Sequence, residues 1–262
     1  METDWLEYWR ELVNNYPHQS KNESMKRYRS HARHNQERPD PLLDFVIESI
    51  DSNTTVLEIG SGNGRWTIPL AKKAGAVTAV EPDREMLVLL RENLNNSGVN
   101  IRIIESPWEE AETETHDIVV CAHSMYTTPD LASFVRRMEQ HAGKTCYMAI
   151  RMPPVNGVIG ELTKIIHGQS HDSANAVVAF NALHSIGICA NVIVEDGVYP
   201  WSNESFEDAF IRAKKHLNMM STDRYDSLIR DTLQKRLTVS GNRYIWPDGM
   251  RSALLWWKPR RE

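Results

Sequence analysis

The stretch Val56-Leu57-Glu58-Ile59-Gly60-Ser61-Gly62-Asn63-Gly64 constrains this chain more than any other. Residues 55–59 read as a short buried strand, and a helical pattern runs from residue 65 to about residue 73. Between them stand three glycines at alternate positions, Gly60, Gly62 and Gly64. A strand, a glycine turn and a helix in that order form a nucleotide-binding corner. The glycines permit unusual backbone angles and remove side chains where a ligand must come close. The helix start leaves N–H groups directed at that ligand.

Two details narrow the choice of ligand. A dinucleotide fingerprint, Gly-x-Gly-x-x-Gly/Ala, would need its third small residue at position 65, where Arg65 stands. Glu58, two places before the first glycine, would attract an ammonium group and repel a pyrophosphate. The arrangement acid-x-Gly-x-Gly-x-Gly resembles motif I of the class I S-adenosylmethionine-dependent methyltransferases. A second strand, residues 76–80, ends in Glu81-Pro82-Asp83. Glu81 stands at the offset of about 20 residues at which a carboxylate accepts from ribose hydroxyls. A solvated strand-end acid is the plainer account of it. The resemblance covers residues 40–150 well and the remainder in outline.

The resemblance implies a three-layer αβα, Rossmann-like fold. Its seven-stranded sheet is mostly parallel with an antiparallel last strand, joined by N-terminal helices and a helical cap. It implies S-adenosyl-L-methionine as cofactor and S-adenosyl-L-homocysteine as product. The cofactor positions carried over are Glu58, Gly60, Ser61, Gly62, Gly64, Glu81, Pro82, Ser106, Trp108 and His123. Family members place an aspartate where Ser106 stands, for the adenine amine. Trp108 matches the apolar cover of the adenine ring, or is a core anchor.

The rest of the chain follows a strand–helix rhythm. Asp40-Pro41 is a helix start, with an N-cap acid and proline at the first helical position. Residues 84–95 are a helix stopped by Gly98, residues 101–104 the third strand and residues 117–122 the fourth. Residues 130–141 are a capped helix closed by Gly143, and residues 145–150 the fifth strand. Helices are expected at 157–167, 174–187, 204–217 and 222–236, strands at 188–195 and 252–258, and a turn at Ser240-Gly241-Asn242. One domain is expected: a lid over 1–39, a core over 40–200 and a helical cap over 201–251. Trp201, Arg243, Tyr244, Trp246 and Arg251 are the cap's candidates for lining a pocket, or for filling core.

Ligands in open α/β sheets bind beyond the carboxyl ends of the strands. His123 and Tyr126, just after the fourth strand, are therefore the catalytic candidates. His123 has the side chain whose ordinary pKa, about 6.5, suits a general base. Lining the adenosine pocket is its alternative role, and packing is that of Tyr126. The Asn/Asp-Pro-Pro-Tyr/Phe motif of nucleobase amino-methyltransferases is absent here, which counts against base N-methylation.

In the N-terminal region Trp5, Leu6, Trp9, Leu12 and Val13 fall at helical spacing, with Tyr8 and Tyr16 nearby. By resemblance, Tyr28 and Arg29 would serve a lid over the cofactor. His31 and His34 share one helix face, but a metal needs a third ligand, and Arg29 and Arg33 repel a cation. No metal is expected, and His18 adds nothing to the pair.

A net charge of -5 argues against a nucleic-acid partner, which usually meets a basic stripe. The short basic runs at 214–216 and 258–261 read as solvated faces or tails. Cys121, Cys146 and Cys189 lie apart in apolar stretches and read as buried free thiols of a reducing cytosol. The acidic, aromatic N-terminus is no signal peptide, and no apolar run is long enough to span a membrane. The chain thus reads as a cytoplasmic methyltransferase of undefined oligomeric state acting on a small molecule. RNA or protein methylation, a non-catalytic cofactor-binding module and a nicotinamide-dependent oxidoreductase are the alternatives.

Overall fold

Burial dictates the sheet. The strands with continuous apolar runs lie at its centre, covered on both faces, as parallel strands require. The structure, a computed structural model, describes residues 3–15, 39–196, 201–247, 249 and 251–260.

In chain order, α1 spans Trp5–Asn15 and α2 spans Pro41–Glu48; β1 is Thr55–Ile59, α3 Thr67–Lys73, β2 Ala76–Val80 and α4 Arg84–Ser97. Next come β3 (Arg102–Ile104), β4 (His116–Ala122), α5 (Leu131–His141), β5 (Ala142–Met152), α6 (Val158–His167), α7 (Ala176–Ser185) and β6 (Asn191–Val194). The last part holds β7 (Ser202–Asn203), α8 (Phe206–His216), α9 (Asp226–Arg236), β8 (Thr238–Ser240), β9 (Arg243–Ile245) and β10 (Arg251–Trp257).

The main sheet has the order β3-β2-β1-β4-β5-β10-β6. β10 runs antiparallel to both of its neighbours, as the sequence leads one to expect of the closing strand. The strand order reverses between β1 and β4, which puts the crevice of an open α/β sheet beyond Ile59 and Ala122. One face of the sheet packs with α1, α5 and α7 through residues such as Trp9, Phe134 and Leu183. The other packs with α2 and α3 through Leu42, Val46, Trp66 and Leu70.

A separate apolar cluster joins α6, α8 and α9, with Leu162, Phe210, Ile229 and Trp246 at its centre. The segment between β6 and β10 is therefore more than helical. It carries a three-stranded sheet, β7-β9-β8, whose two- and three-residue strands are too short to show alternation in sequence.

Several boundaries differ from the sequence expectation for physical reasons. α3 starts at Thr67 rather than residue 65. Pro69 has no N–H to give the Arg65 carbonyl, so it belongs in the first helical turn. α5 does not run to a glycine stop: the chain enters β5 at Ala142, and Gly143 is a strand residue. A Cβ at Gly143 would stand 3.3 Å from the His116 carbonyl oxygen on the neighbouring strand. Cys121 and Cys146 are buried free thiols, but Cys189 is exposed, ahead of β6 rather than in it.

Of the expected lid, residues 5–15 form α1, which docks in the main core; the Trp9 indole donates to the Thr128 carbonyl at 2.9 Å. Tyr16, His18, Tyr28, Arg29, His31, Arg33 and His34 lie outside the described residues.

Candidate functional site

The turn after β1 has a left-handed backbone at all three of its motif glycines, with φ of +70° at Gly60, +54° at Gly62 and +90° at Gly64. Side chains rarely adopt such angles. At Gly60 space forbids one as well: a Cβ there would stand 2.2 Å from the Ser124 Cβ. Ser124 is pinned in turn, its hydroxyl donating to the Ile59 carbonyl at 2.7 Å. A Cβ at Gly62, by contrast, would meet nothing within 4 Å. Here the main chain borders open space.

The two acids of the corner do different work. Glu81 is 6% exposed, and its carboxylate clasps the loop. One oxygen accepts from the Gly62 N–H at 2.8 Å and the other from the Asp83 N–H at 2.9 Å. Burial raises its pKa, and these two backbone bonds pull the other way. Glu58 is 2% exposed and sits behind the loop, accepting from the Thr67 hydroxyl at 2.5 Å. Desolvation raises its pKa to about 8, with the Thr67 bond opposing and Glu81 adding to the rise. Glu58 is thus largely neutral at pH 7 and supports the loop through Thr67. It does not present the charge that the sequence suggests for an ammonium.

Asp40 holds the far end of the corner. It caps α2 by accepting from the Leu43 N–H, and it also accepts from the Arg65 guanidinium at 2.5 Å and the Trp66 indole at 2.9 Å. Thr67, Ser124 and Asp40 are the supporting residues that the sequence does not reveal. Asp40 alone is visible there, and only as a cap.

Beyond β4 the chain turns at His123, a non-glycine residue with φ of +56°. Such strain marks functional turns in many proteins. The His123 Nδ1 lies 3.0 Å from the Tyr126 hydroxyl oxygen, and the rings stack at 6.2 Å. That oxygen also accepts from the Arg151 N–H at 2.7 Å, and the Arg151 guanidinium lies 5.0 Å from the Tyr126 ring centre. Two proton arrangements satisfy the pair. Either the Tyr126 hydroxyl donates to Nδ1, or a protonated Nδ1 donates to Tyr126. Only the second makes Nε2 of a neutral imidazole an acceptor.

The remaining candidates are scattered. Pro82 is exposed beside Glu81. The Ser106 hydroxyl donates to the Pro107 carbonyl at 3.0 Å. Trp108 is 4% exposed; its indole donates to the Phe134 carbonyl at 3.3 Å, its ring meets Phe134 and His141 edge-on, and Arg137 covers it at 4.9 Å. Of the two roles the sequence allows Trp108, these surroundings are those of a core anchor.

A cavity of about 610 Å³ opens next to this cluster. Arg151 and Met152 at the end of β5 form its floor, α6 and the loop at 170–175 its walls, and Trp201 and Trp246 its roof. Of the cap residues singled out in the sequence, those two tryptophans border it; Arg243, Tyr244 and Arg251 do not. Among the described residues no cluster of histidine, cysteine or acid side chains could hold a metal, and no helix is long and apolar enough to cross a membrane.

Comparison with known proteins places the corner in context. Residues 56–144 match a family described as a methyltransferase domain. The chain is 60% identical over 46 residues to a ribosomal RNA small subunit methyltransferase A of Magnetococcus marinus, covering 18% of this chain and 16% of that one. It is 30% identical over 105 residues to a ubiquinone biosynthesis O-methyltransferase of Serratia proteamaculans, covering 38% of this chain and 44% of that one. The chain thus spans less than half the length of either relative. In fold it is similar to the YcgJ protein of Bacillus subtilis, with a TM-score of 0.57 at 16% identity over 84% of this chain and 99% of that one. The glycine corner thus lies within a stretch, residues 56–144, that matches a methyltransferase domain, set in a seven-stranded sheet whose closing strand runs antiparallel.

Proposed function

We propose that this chain is an enzyme that transfers a methyl group from S-adenosylmethionine to a small-molecule acceptor held in the cavity under the cap. The observation that carries this reading is a continuous path. Ser124 ties the end of β1 to the end of β4; His123 and Tyr126 follow; Tyr126 binds the Arg151 N–H, and Arg151 borders the cavity. Bonds through Ser124, Tyr126 and Arg151 therefore link the glycine corner to the cavity, which His123 and Tyr126 do not themselves line.

The corner fits the cofactor. Open space faces Gly62, and the buried Ser61 hydroxyl has no hydrogen-bond partner among the described residues. Each Glu81 oxygen accepts one backbone N–H, which leaves lone pairs for ribose hydroxyls. Gly60, Gly62 and Gly64 would give the cofactor its main-chain cradle, and Pro82 and Ser106 would border the adenosine. When bound, S-adenosylmethionine supplies an electrophilic methyl carbon and a good leaving group. The protein's part is alignment and exclusion of water. His123, oriented by Tyr126, is the candidate to hold an acceptor hydroxyl or take its proton through Nε2.

Turnover tests this directly. Purified protein, cofactor and a pool of small metabolites should give S-adenosylhomocysteine and a product heavier by one methyl group. Labelling of total RNA alone would favour the second reading, RNA methylation, which the similarity to the Magnetococcus protein supports. The net charge of -5 and the roofed cavity weigh against it. The buried free thiols of Cys121 and Cys146 are in keeping with a reducing, cytoplasmic setting.

A further inference from the structure

One wall of the cavity is held by a helix of the main core. Tyr8 of α1 reaches the loop at 170–175, where its hydroxyl oxygen accepts from the His171 N–H at 3.1 Å. α1 is itself fixed by the buried Trp9, whose indole donates to the Thr128 carbonyl. Asn175 fixes the other end of the loop. Its side-chain oxygen caps α7 by accepting from the Val177 and Val178 N–H groups, and its amide donates to the Ser173 carbonyl at 2.8 Å. The loop is thus tied at both ends through main-chain groups, and these ties do not use the His171 imidazole.

His171 lines the cavity and is half-buried. Its ring faces that of Tyr8 at 6.1 Å, tilted by 40°. Among the described residues neither ring nitrogen makes a hydrogen bond. A polar group so placed costs stability until a ligand or water pairs with it. Burial lowers its pKa, against a smaller opposing pull from the neighbouring Asp172 carboxylate. A neutral imidazole offers one N–H donor and one lone pair, and a hydroxyl can use either. Charge does not decide the ligand here: Glu161 pairs with Arg236, and Lys164 and Asp172 are of opposite sign. Ser170 and Ser173 add neutral polar groups to the same wall, below the roof of Trp201 and Trp246.

We propose that His171 anchors the acceptor: its imidazole takes a hydrogen bond from a hydroxyl of a neutral, flat ligand, and Tyr8 is the positioning residue that holds it there through the main chain. This hydroxyl serves recognition, and the one offered to His123 is the one that reacts. The word acceptor rests on the methyltransferase reading above; the selectivity for a hydroxyl can be measured without it. The full chain would be titrated calorimetrically with 4-hydroxybenzamide and with 4-methoxybenzamide, which is also uncharged but has no phenolic hydroxyl. The phenol should bind saturably and about fivefold more tightly, the effect of one neutral hydrogen bond. His171→Phe keeps a ring against Tyr8 and the main-chain bond while removing both nitrogens. Its ratio should fall to about one, with the melting temperature showing that the variant is folded. His171→Gln keeps an acceptor and should restore a preference for the phenol, which a merely structural role would not.

Equal affinities in the unmodified chain, a preference that survives in His171→Phe, one that stays absent in His171→Gln, or no saturable binding of 4-hydroxybenzamide would each overturn the proposal. A parallel titration with S-adenosylhomocysteine separates the two claims. If it fails while the preference holds and depends on His171, the methyltransferase reading falls and the hydroxyl site stands. If it succeeds while the preference is absent, only the hydroxyl site falls.

Discussion

The glycine corner and the roofed cavity are built in opposite ways. The corner draws on a short run of chain, residues 55–83, and is fixed by main-chain angles and two buried acids. The cavity draws on residues 151–177 and on Trp201, Trp246 and Pro247, and is fixed by side-chain packing in its own apolar cluster. The corner suits a ligand that is gripped by main chain. The cavity reaches the main sheet only at Arg151 and Met152 of β5, and the rest of its lining comes from outside that sheet.

The largest effect should come at the hinge of the corner. Gly60→Val puts a β-branched residue at φ of +70° with its Cβ 2.2 Å from that of Ser124. Thermal or denaturant unfolding should show a loss of about 3 kcal/mol or more. A variant of near wild-type stability would mean that the corner is softer than its geometry implies.

Next is Glu81→Ala, which removes the acceptor for the Gly62 and Asp83 N–H groups. Cofactor affinity should fall by about 1.5–3 kcal/mol, with no change in the affinity of any cavity ligand. Loss of both affinities together would erase the division between the two regions.

Glu58 sharpens the contrast between the corner's acids through pH. Its folded-state pKa is raised from 4.5 to about 8, so the folded protein binds the extra proton. Stability is then fullest below about 4.5 and is lost as pH rises through about 8. Glu58→Gln should flatten that decline. A wild-type protein that becomes more stable over this range would show that Glu58 is ionised when folded.

The smallest change belongs to the roof. Trp246→Phe deletes the indole donation to the Asn203 side-chain oxygen at 2.9 Å. It should cost about 1 kcal/mol of stability and weaken cavity ligands while sparing cofactor affinity. Weakened cofactor binding in this variant would join the two regions into one.

The same contrast governs what the sequence discloses. The corner is legible because its signals are local: three glycines at alternate positions, an acid before them and an acid at the next strand end. Both strands flanking it have the bounds the sequence implies. The cavity is not legible, since nothing in sequence brings Lys164 and Arg151 to one space with Trp201 and Trp246. Trp108 shows the limit from another side. Its position matches a ligand-covering residue, yet the apolar groove against α5 takes the ring into the core. The environment of Glu58 was equally hidden, because its charge depends on burial and on Thr67, nine residues on.

The most direct test is calorimetric titration of the unmodified protein with S-adenosylhomocysteine. Saturable binding at one site per chain, abolished by Gly62→Val in a folded variant, is the predicted result, because a side chain there enters the open space beside the loop. A heat signal no larger than dilution, or one that Gly62→Val leaves intact, would contradict the account.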